Sequence, residues 1–338
     1  MNSTQRIMAT IQGAPTDRRA FVLIMSLYGA RLTGCPLKDY YTDPDAYFQG
    51  QLAVQQKFEP DVLFSPFVLP YLGAAYGSQI KLFADQPPNL ATPAIERAKD
   101  FASLTMPDVD ANVHLTYLRK CLRRLTKEYK NAIPVGAFAL SPVDLPSMIM
   151  GMEVWLETLL FDPHLAEAII EQVTVHFIEY TDALFSDGVS FIVLPLPFAN
   201  LRIITPKIAT QIAVPCLKRA FERVAGPLVL HHVGASFLKS LAHLQGLPNV
   251  LGYYVGKEDS LVEAREIVGP QKTLLGNIDG PGLRKRTADD IHQQALDILD
   301  QMQDDPRFIL ATSSPDIDLE TPEANIQAII NAVKAFKP

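Results

Sequence analysis

Eight short runs of consecutive apolar residues, separated by stretches long enough for helices, constrain this chain more than any other feature. They lie at residues 21–25, 61–64, 132–136, 191–194, 228–231, 250–253, 273–276 and 308–311. Unbroken apolar runs, as opposed to apolar–polar alternation, are what parallel strands need when both faces of their sheet are covered. Eight strand–helix repeats predict an α/β fold, a (β/α)8 TIM barrel, in a single domain over residues 1–338. A doubly wound sheet is the alternative, but no strand is followed by G-x-G-x-x-G and there is no Walker A segment.

The intervening stretches carry helix-start chemistry. Asp162-Pro163 opens a helix running to about Phe185, and Thr205-Pro206 opens the next, each a capping side chain followed by a first-turn proline. Thr287 caps a third, with Asp289 and Asp290 in the turn where carboxylates suit the helix dipole. Thr321-Pro322-Glu323 starts the last, which runs to about Phe336. Residues 84–110 and 139–152 are rich in proline and break the alternation; they read as excursions over a barrel mouth.

Composition narrows the class of function. Hydrophobic residues make up 48% and charged residues 20%, enough for a large core. The net charge of −7 opposes a broad nucleic-acid surface, and no apolar stretch reaches the roughly 18 residues of a membrane span. Met1-Asn2-Ser3-Thr4-Gln5-Arg6 lacks a secretory pattern, and Cys35, Cys121 and Cys216 are odd in number and widely spaced. A cytoplasmic protein with reduced thiols is expected, with a small-molecule substrate and with no nucleic-acid or membrane partner; the oligomeric state is left open.

Several segments then resemble one family. Leu230-His231-His232-Val233-Gly234, Gly276-Asn277-Ile278-Asp279 and Thr321-Pro322-Glu323-Ala324-Asn325-Ile326 are similar to those of the uroporphyrinogen decarboxylase superfamily. So are Glu59-Pro60-Asp61 and Ile204-Thr205-Pro206, and order and spacing hold from about Arg18 to Lys334. The resemblance implies a (β/α)8 barrel and one of two activities. One branch decarboxylates uroporphyrinogen without a cofactor. The other contains corrinoid-linked methyltransferases of the methylcobamide:coenzyme M type, which use zinc to activate a thiol. Tyr40-Tyr41-Thr42-Asp43-Pro44-Asp45, Gln51 and Phe58-Glu59-Pro60-Asp61 resemble the methyltransferase branch more.

Both patterns are broken. Where decarboxylases carry R-Q-A-G-R-Y this chain has Ser26-Leu27-Tyr28-Gly29-Ala30-Arg31, and where their F-S-D-I supplies an aspartate it has Phe64-Ser65-Pro66-Phe67. Proline cannot supply that carboxylate, so no turnover of uroporphyrinogen is expected. The methyltransferase zinc ligands come as H-x-C and a later cysteine; here Val233 stands at the first cysteine, and Thr312-Ser313-Ser314-Pro315 contains no second. Valine does not ligate zinc and serine is a poor replacement for a thiolate, so no tightly bound zinc is expected.

Active sites of such barrels gather at the C-terminal strand ends. The candidate catalytic residues are His231 and Asp279; the candidate substrate-binding residues are His232, Tyr28, Arg31, Arg202, Asn277 and Tyr253. Alternation along the fifth run sends one histidine inward and the other to the wall, with His231 taken as the inward one. Asn277 and Asp279 also suit a loop turn, and Arg31 and Arg202 suit either an anionic substrate group or a surface ion pair. One ring of Tyr253 and Tyr254 is expected to line the mouth. Asp316 and Asp318 read as solvated carboxylates at a helix start, with an oxygen/nitrogen metal site beside His231 as the other reading. The cationic run from Arg119 to Lys130 reads as a solvated helix face above a Leu115, Leu118, Leu122, Leu125 stripe. The expected function is methyl transfer with a corrinoid presented by a partner protein and no tightly bound cofactor. The alternatives are a porphyrinogen decarboxylase with a rewritten site and a non-catalytic binding barrel.

Overall fold

A computed structural model describes residues 1–313 and 316–336. Its strands are β1 (Phe21–Val22), β2 (Leu63–Phe64), β3 (Gln79–Lys81), β4 (Asn89–Thr92), β5 (Val135–Phe138), β6 (Phe191–Pro195), β7 (Leu228–His231), β8 (Val250–Tyr254), β9 (Thr273–Ile278) and β10 (Phe308–Thr312). All eight expected strands are present in one curled parallel sheet of order β1-β10-β9-β8-β7-β6-β5-β2. Helices follow the strands and cover the outer face, where Phe21, Leu63, Leu228, Tyr253 and Leu310 pack against them. The inner face carries Val22, Phe64, Phe138, Val193, Val229, Tyr254 and Leu275. Both faces are buried, which is why the runs read as unbroken apolar sequence.

The terminal strands of this order, β1 and β2, lie side by side. No ladder pairs them among the described residues; the Asp61 carboxylate joins them instead. Phe21 N–H donates to Asp61 Oδ2 (3.0 Å) and Asp61 N–H donates to Phe21 O (3.3 Å). The buried carboxylate also accepts from Arg6 (2.5 Å) and Arg18 (2.7 Å). Arg6 belongs to the N-terminal helix Ser3–Gln12, whose Ile7 and Ile11 close the barrel floor against Val22, Val229 and Thr273.

The strand boundaries differ from expectation by up to three residues, and only the run at 228–231 agrees at both ends. The run at 132–136 pairs only from Val135, because Pro134 has no N–H and contributes only its carbonyl, to Leu63. β1 stops at Val22 and β9 continues to Ile278. The hairpin β3–β4 was not anticipated: its residues are mostly exposed, so burial leaves no apolar mark on them.

The expected helix starts hold. The Asp162 side chain accepts from Leu165 N–H, Thr205 from Ile208 N–H, and Thr287 shares a capping box with Asp290. The cationic helix, Val113–Glu128, buries the expected leucine stripe but is not solvated throughout. Its Arg119 is buried and holds Asp187 at 2.6 Å, together with Asp110. Among the described residues, no helix is long and apolar enough to cross a membrane.

Candidate active site

The loops after the strands enclose a cavity of about 540 Å³ at the C-terminal end of the sheet. Leu27 reaches it from the loop after β1, Phe67 from the loop after β2, and Met148 from the helix after β5. The tip of the β3–β4 hairpin, including Asp85 and two prolines, covers one side. Asp316 and Asp318 line it from the segment after β10. Among the described lining residues there are three carboxylates and no Lys, Arg or His side chain.

Asp316 is half-buried and does not stand at a helix start, since the last helix begins at Glu323. It accepts from Leu27 N–H (2.9 Å) and Ile317 N–H (3.0 Å), tying the segment after β10 to the loop after β1. Burial pushes its carboxyl well above the ordinary range, an effect those two N–H donors partly offset. Asp318 pairs with Arg284 at 3.0 Å. The adjoining Ser314 and Pro315, which stand where a thiolate ligand would be sought, lie outside the described residues.

The histidine pair sits at the end of β7. His231 has the same parity as Val229 and faces inward, where its ring lies 5.1 Å from Tyr254 on β8. His232 departs from the alternation. Val233 takes a left-handed backbone (φ 57°), uncommon for a β-branched residue, and Gly234 follows at 78°. The His232 ring stacks on His231, 4.6 Å away and 17° from parallel, and its Nε2 reaches Ser313 O at 2.8 Å. Neither histidine therefore faces the helical wall, because the strand has ended before the second.

Their nitrogens are used differently. Val233 N–H donates to His231 Nδ1 (3.0 Å), which leaves the proton on Nε2, and that Nε2 is buried without a partner among the described residues. Gly234 N–H donates to His232 Nδ1 (3.0 Å), so His232 Nε2–H donates to Ser313 O. Burial, with His232 alongside, holds His231 well below the ordinary imidazole range. His232 is lowered too, by burial, against the pull of the Ser313 and Ala235 carbonyls. Both shifts favour the neutral ring.

The other candidates are placed as follows. Asn277 Nδ2 donates to Gly256 O (3.0 Å) and Asp259 O (2.9 Å), which fixes the loop after β8. Asp279 pairs with Lys257 (3.1 Å) and accepts from Gly282 N–H, so it holds a turn beside the mouth. Tyr28 is not a mouth residue. Its buried hydroxyl donates to Thr321 O (2.7 Å), and Arg31 beside it donates to the carbonyls of Leu319 and Thr321. Arg31 is therefore committed to main chain and does not line the cavity. Arg202 is exposed on the loop after β6 and is likewise not a lining residue. Tyr253 is corrected: its hydroxyl donates to Leu244 O (3.1 Å) on the helix side, and Tyr254 is the inward ring. A one-residue register decides which ring enters the barrel.

Two buried carboxylates escaped the sequence reading. Asp144 accepts from Ser141 and from Phe198 N–H (2.8 Å), locking the loop after β5 to the loop after β6; burial pushes its carboxyl up to about 7. Asp259 accepts from Ser236 (2.6 Å), Phe237 N–H (2.9 Å) and Gly256 N–H (2.9 Å), joining the loops after β7 and β8. A Ser-Pro-Val-Asp loop is a faint signal for the first, since Ser and Asp three apart commonly close a turn.

The donor set does not fit the zinc of the methyltransferase branch. Val233 occupies the cysteine position beside His231, and among the described residues no three His, Cys, Asp or Glu side chains gather as metal ligands. Cys121 and Cys216 are buried on helices.

A parallel eight-stranded α/β sheet with its cavity at the C-terminal strand ends defines a class of barrel-type proteins that bind from their loops. Within that class the chain belongs to the uroporphyrinogen decarboxylase (URO-D) family, which it matches over residues 2–336. Its fold is similar to that of a methyltransferase from Methanosarcina mazei, with a TM-score of 0.88, 19% identity, and 99% of this chain and 98% of the other covered. A B12-independent methionine synthase from Shewanella sp. W3-18-1 is similar at TM-score 0.60 and 12% identity, with 88% and 87% covered. A putative vitamin-B12 independent methionine synthase from Listeria monocytogenes is similar at 0.54 and 12%, with 95% and 96% covered. At these identities the likeness concerns the fold. No curated protein matches the sequence.

Proposed function

We propose that this protein is a methyltransferase that works with a corrinoid presented by a partner protein and binds a small molecule at the mouth of a closed (β/α)8 barrel. The observation that carries the reading is the lining of the cavity: Asp85, Asp316 and Asp318 with no cation among the described lining residues. Uroporphyrinogen is a polycarboxylate, and a cavity whose described lining offers it no cation leaves its charges unpaired. Pro66 in place of the family aspartate removes the acceptor for the pyrrole N–H groups. With decarboxylation disfavoured, methyl transfer is the family activity that remains, and the fold likeness to the Methanosarcina mazei methyltransferase agrees with it.

A cavity of about 540 Å³ takes a small molecule, whereas a corrin macrocycle is larger and belongs over the mouth. The corrinoid supplies a methyl group that leaves without its bonding electrons. This chain's part is to hold the reacting molecule in line and exclude water, which the loops after β1, β2, β5 and β10 do together with the hairpin. His231 contributes a neutral Nε2–H donor, which can stabilise charge at a reacting atom without a metal. The test is incubation with methylcobalamin and a panel of small thiols as methyl acceptors, with the corrinoid spectrum followed. Loss of the methylcobalamin spectrum that depends on both protein and acceptor supports the reading. Conversion of uroporphyrinogen without any methyl transfer would replace it with the decarboxylase.

A further inference from the structure

The cavity of about 540 Å³ at the strand ends combines two chemistries. Leu27, Phe67, Val68 and Met148 give it apolar walls. Phe67, half-buried, rests on the Phe138 ring 4.6 Å away, and Phe138 stacks on Phe64 at 5.3 Å, so an aromatic column inside the barrel ends at the cavity. The ionisable side chains of the described lining are all carboxylates, and they come from separate elements: Asp85 from the tip of the β3–β4 hairpin, Asp316 and Asp318 from the segment after β10. Leu27 N–H donates to Asp316 (2.9 Å), and the neighbouring Ser26 hydroxyl accepts from Phe67 N–H (2.8 Å), which holds the Asp316 carboxylate and Phe67 on adjoining loops. Asp318 already has Arg284 as its partner at 3.0 Å, which leaves Asp85 and Asp316 to meet a ligand. Burial raises the Asp316 carboxyl, and a positive charge beside it would favour its ionised form. An anion would find no counter-charge on these walls. A cation wrapped in methyl groups would satisfy both chemistries, since it is attracted by carboxylates and by an aromatic face while its surface stays apolar.

We propose that the mouth cavity takes a small quaternary ammonium ion, its methyl groups against Leu27, Phe67 and Met148 and its charge balanced by Asp85 and Asp316. The cavity with its apolar walls points to a small-molecule ligand independently of the carboxylates, which decide the charge of that ligand. The inference deepens the proposed function and rests on it in taking the mouth as the working end. An N-methyl group exchanges with a corrinoid without help from a proton or a metal-bound thiolate. When the C–N bond breaks, its electron pair stays on nitrogen and the methyl joins cobalt(I), releasing a neutral tertiary amine. In the reverse direction the Co–C pair stays on cobalt and the amine lone pair forms the C–N bond.

The experiment measures binding to the full-length protein by calorimetry, with choline as probe and with its uncharged isostere 3,3-dimethylbutan-1-ol and acetate as counterparts. Choline should bind saturably and about tenfold more tightly than dimethylbutanol, and acetate should not bind. Asp85→Asn, on an exposed hairpin tip, should weaken choline by about threefold while dimethylbutanol affinity and the urea midpoint stay unchanged. Phe67→Leu should weaken choline by about threefold and dimethylbutanol less. Equal affinities for choline and dimethylbutanol, binding of acetate in place of choline, or choline affinity unaltered in both variants would overturn the proposal. No corrinoid is present in the assay. An active methyltransferase that does not bind choline sinks the ammonium site alone, while choline binding by a protein without methyl transfer sinks the activity alone.

Discussion

His231 and His232 are adjacent, stacked and equally buried, yet their ring nitrogens set different expectations for substitution. His232 Nε2–H donates to Ser313 O, and its Nδ1 accepts from Gly234 N–H. His232→Ala leaves both unpaired and should lower stability by about 1–3 kcal/mol in urea titrations. His231→Gln removes the free Nε2–H donor and should reduce turnover on the order of a hundredfold, within the range for a lost acid–base or charge-stabilising group, while the urea midpoint shifts little. If stability fell with His231 and activity with His232, the roles would be exchanged. Asp144 gives a pH signature. Its folded pKa, about 7, lies above the ordinary value of 3.8, so the folded state holds this proton more tightly than the unfolded chain. Its contribution is then fully present below about pH 4 and is lost as pH rises towards 7, by about 4 kcal/mol in the limit. Asp144→Asn should gain stability relative to wild type between pH 4.5 and 7.5, measured as the difference in urea unfolding free energy. A difference independent of pH would show that Asp144 is not a protonated buried acid. Little of this was legible beforehand. Strand parity said only that one of the two histidines faces inward, and the resemblance to H-x-C pointed to His231, but the fold-over of His232 depends on Val233 in the left-handed region, a conformation its side chain disfavours. The choice between Tyr253 and Tyr254 hung on a register that an unbroken apolar run does not reveal, because both faces are apolar.

The strands and their helices were legible because each run is short, wholly apolar and bounded by capping side chains or prolines. The elements that shape the mouth were not. The β3–β4 hairpin is exposed, and its prolines mark it as irregular without telling that it is a hairpin. Asp61 stood within a family-like segment, yet its task of joining β1 to β2 requires Arg6 and Arg18 from far along the chain. Removing one partner of a buried ion pair leaves an uncompensated charge, so Asp61→Ala should destabilise by about 3–5 kcal/mol. Urea unfolding of the variant is the check, and a loss below about 1 kcal/mol would mean that the seam is held by other contacts. Gly73 is a second structural dependence. A Cβ there would clash with Met148 O, where the helix Pro70–Ala74 crosses the helix Pro146–Met150 that carries Met148 to the cavity. Gly73→Ala should destabilise by about 1–3 kcal/mol through overpacking and weaken ligand binding at the mouth as Met148 is displaced. A variant as stable as wild type with unaltered binding would show that the two helices can part freely.

The chain keeps the framework of the uroporphyrinogen decarboxylase family across residues 2–336, while the described lining of its mouth holds carboxylates and no cation, and Val233 follows the histidine pair. The large parallel sheet, floored by the N-terminal helix, tolerates such exchange because the lining comes from loops and the stability from the layers beneath. The proposed reaction is methyl transfer that depends on His231 and on no zinc. It is tested most directly by following methylcobalamin consumption by zinc-depleted wild type and His231→Gln, with the same small acceptors. Wild type should remain active after chelator treatment, and His231→Gln should be slower by on the order of a hundredfold. Equal rates in the two proteins, or activity that disappears with the chelator and returns only with zinc, would contradict it.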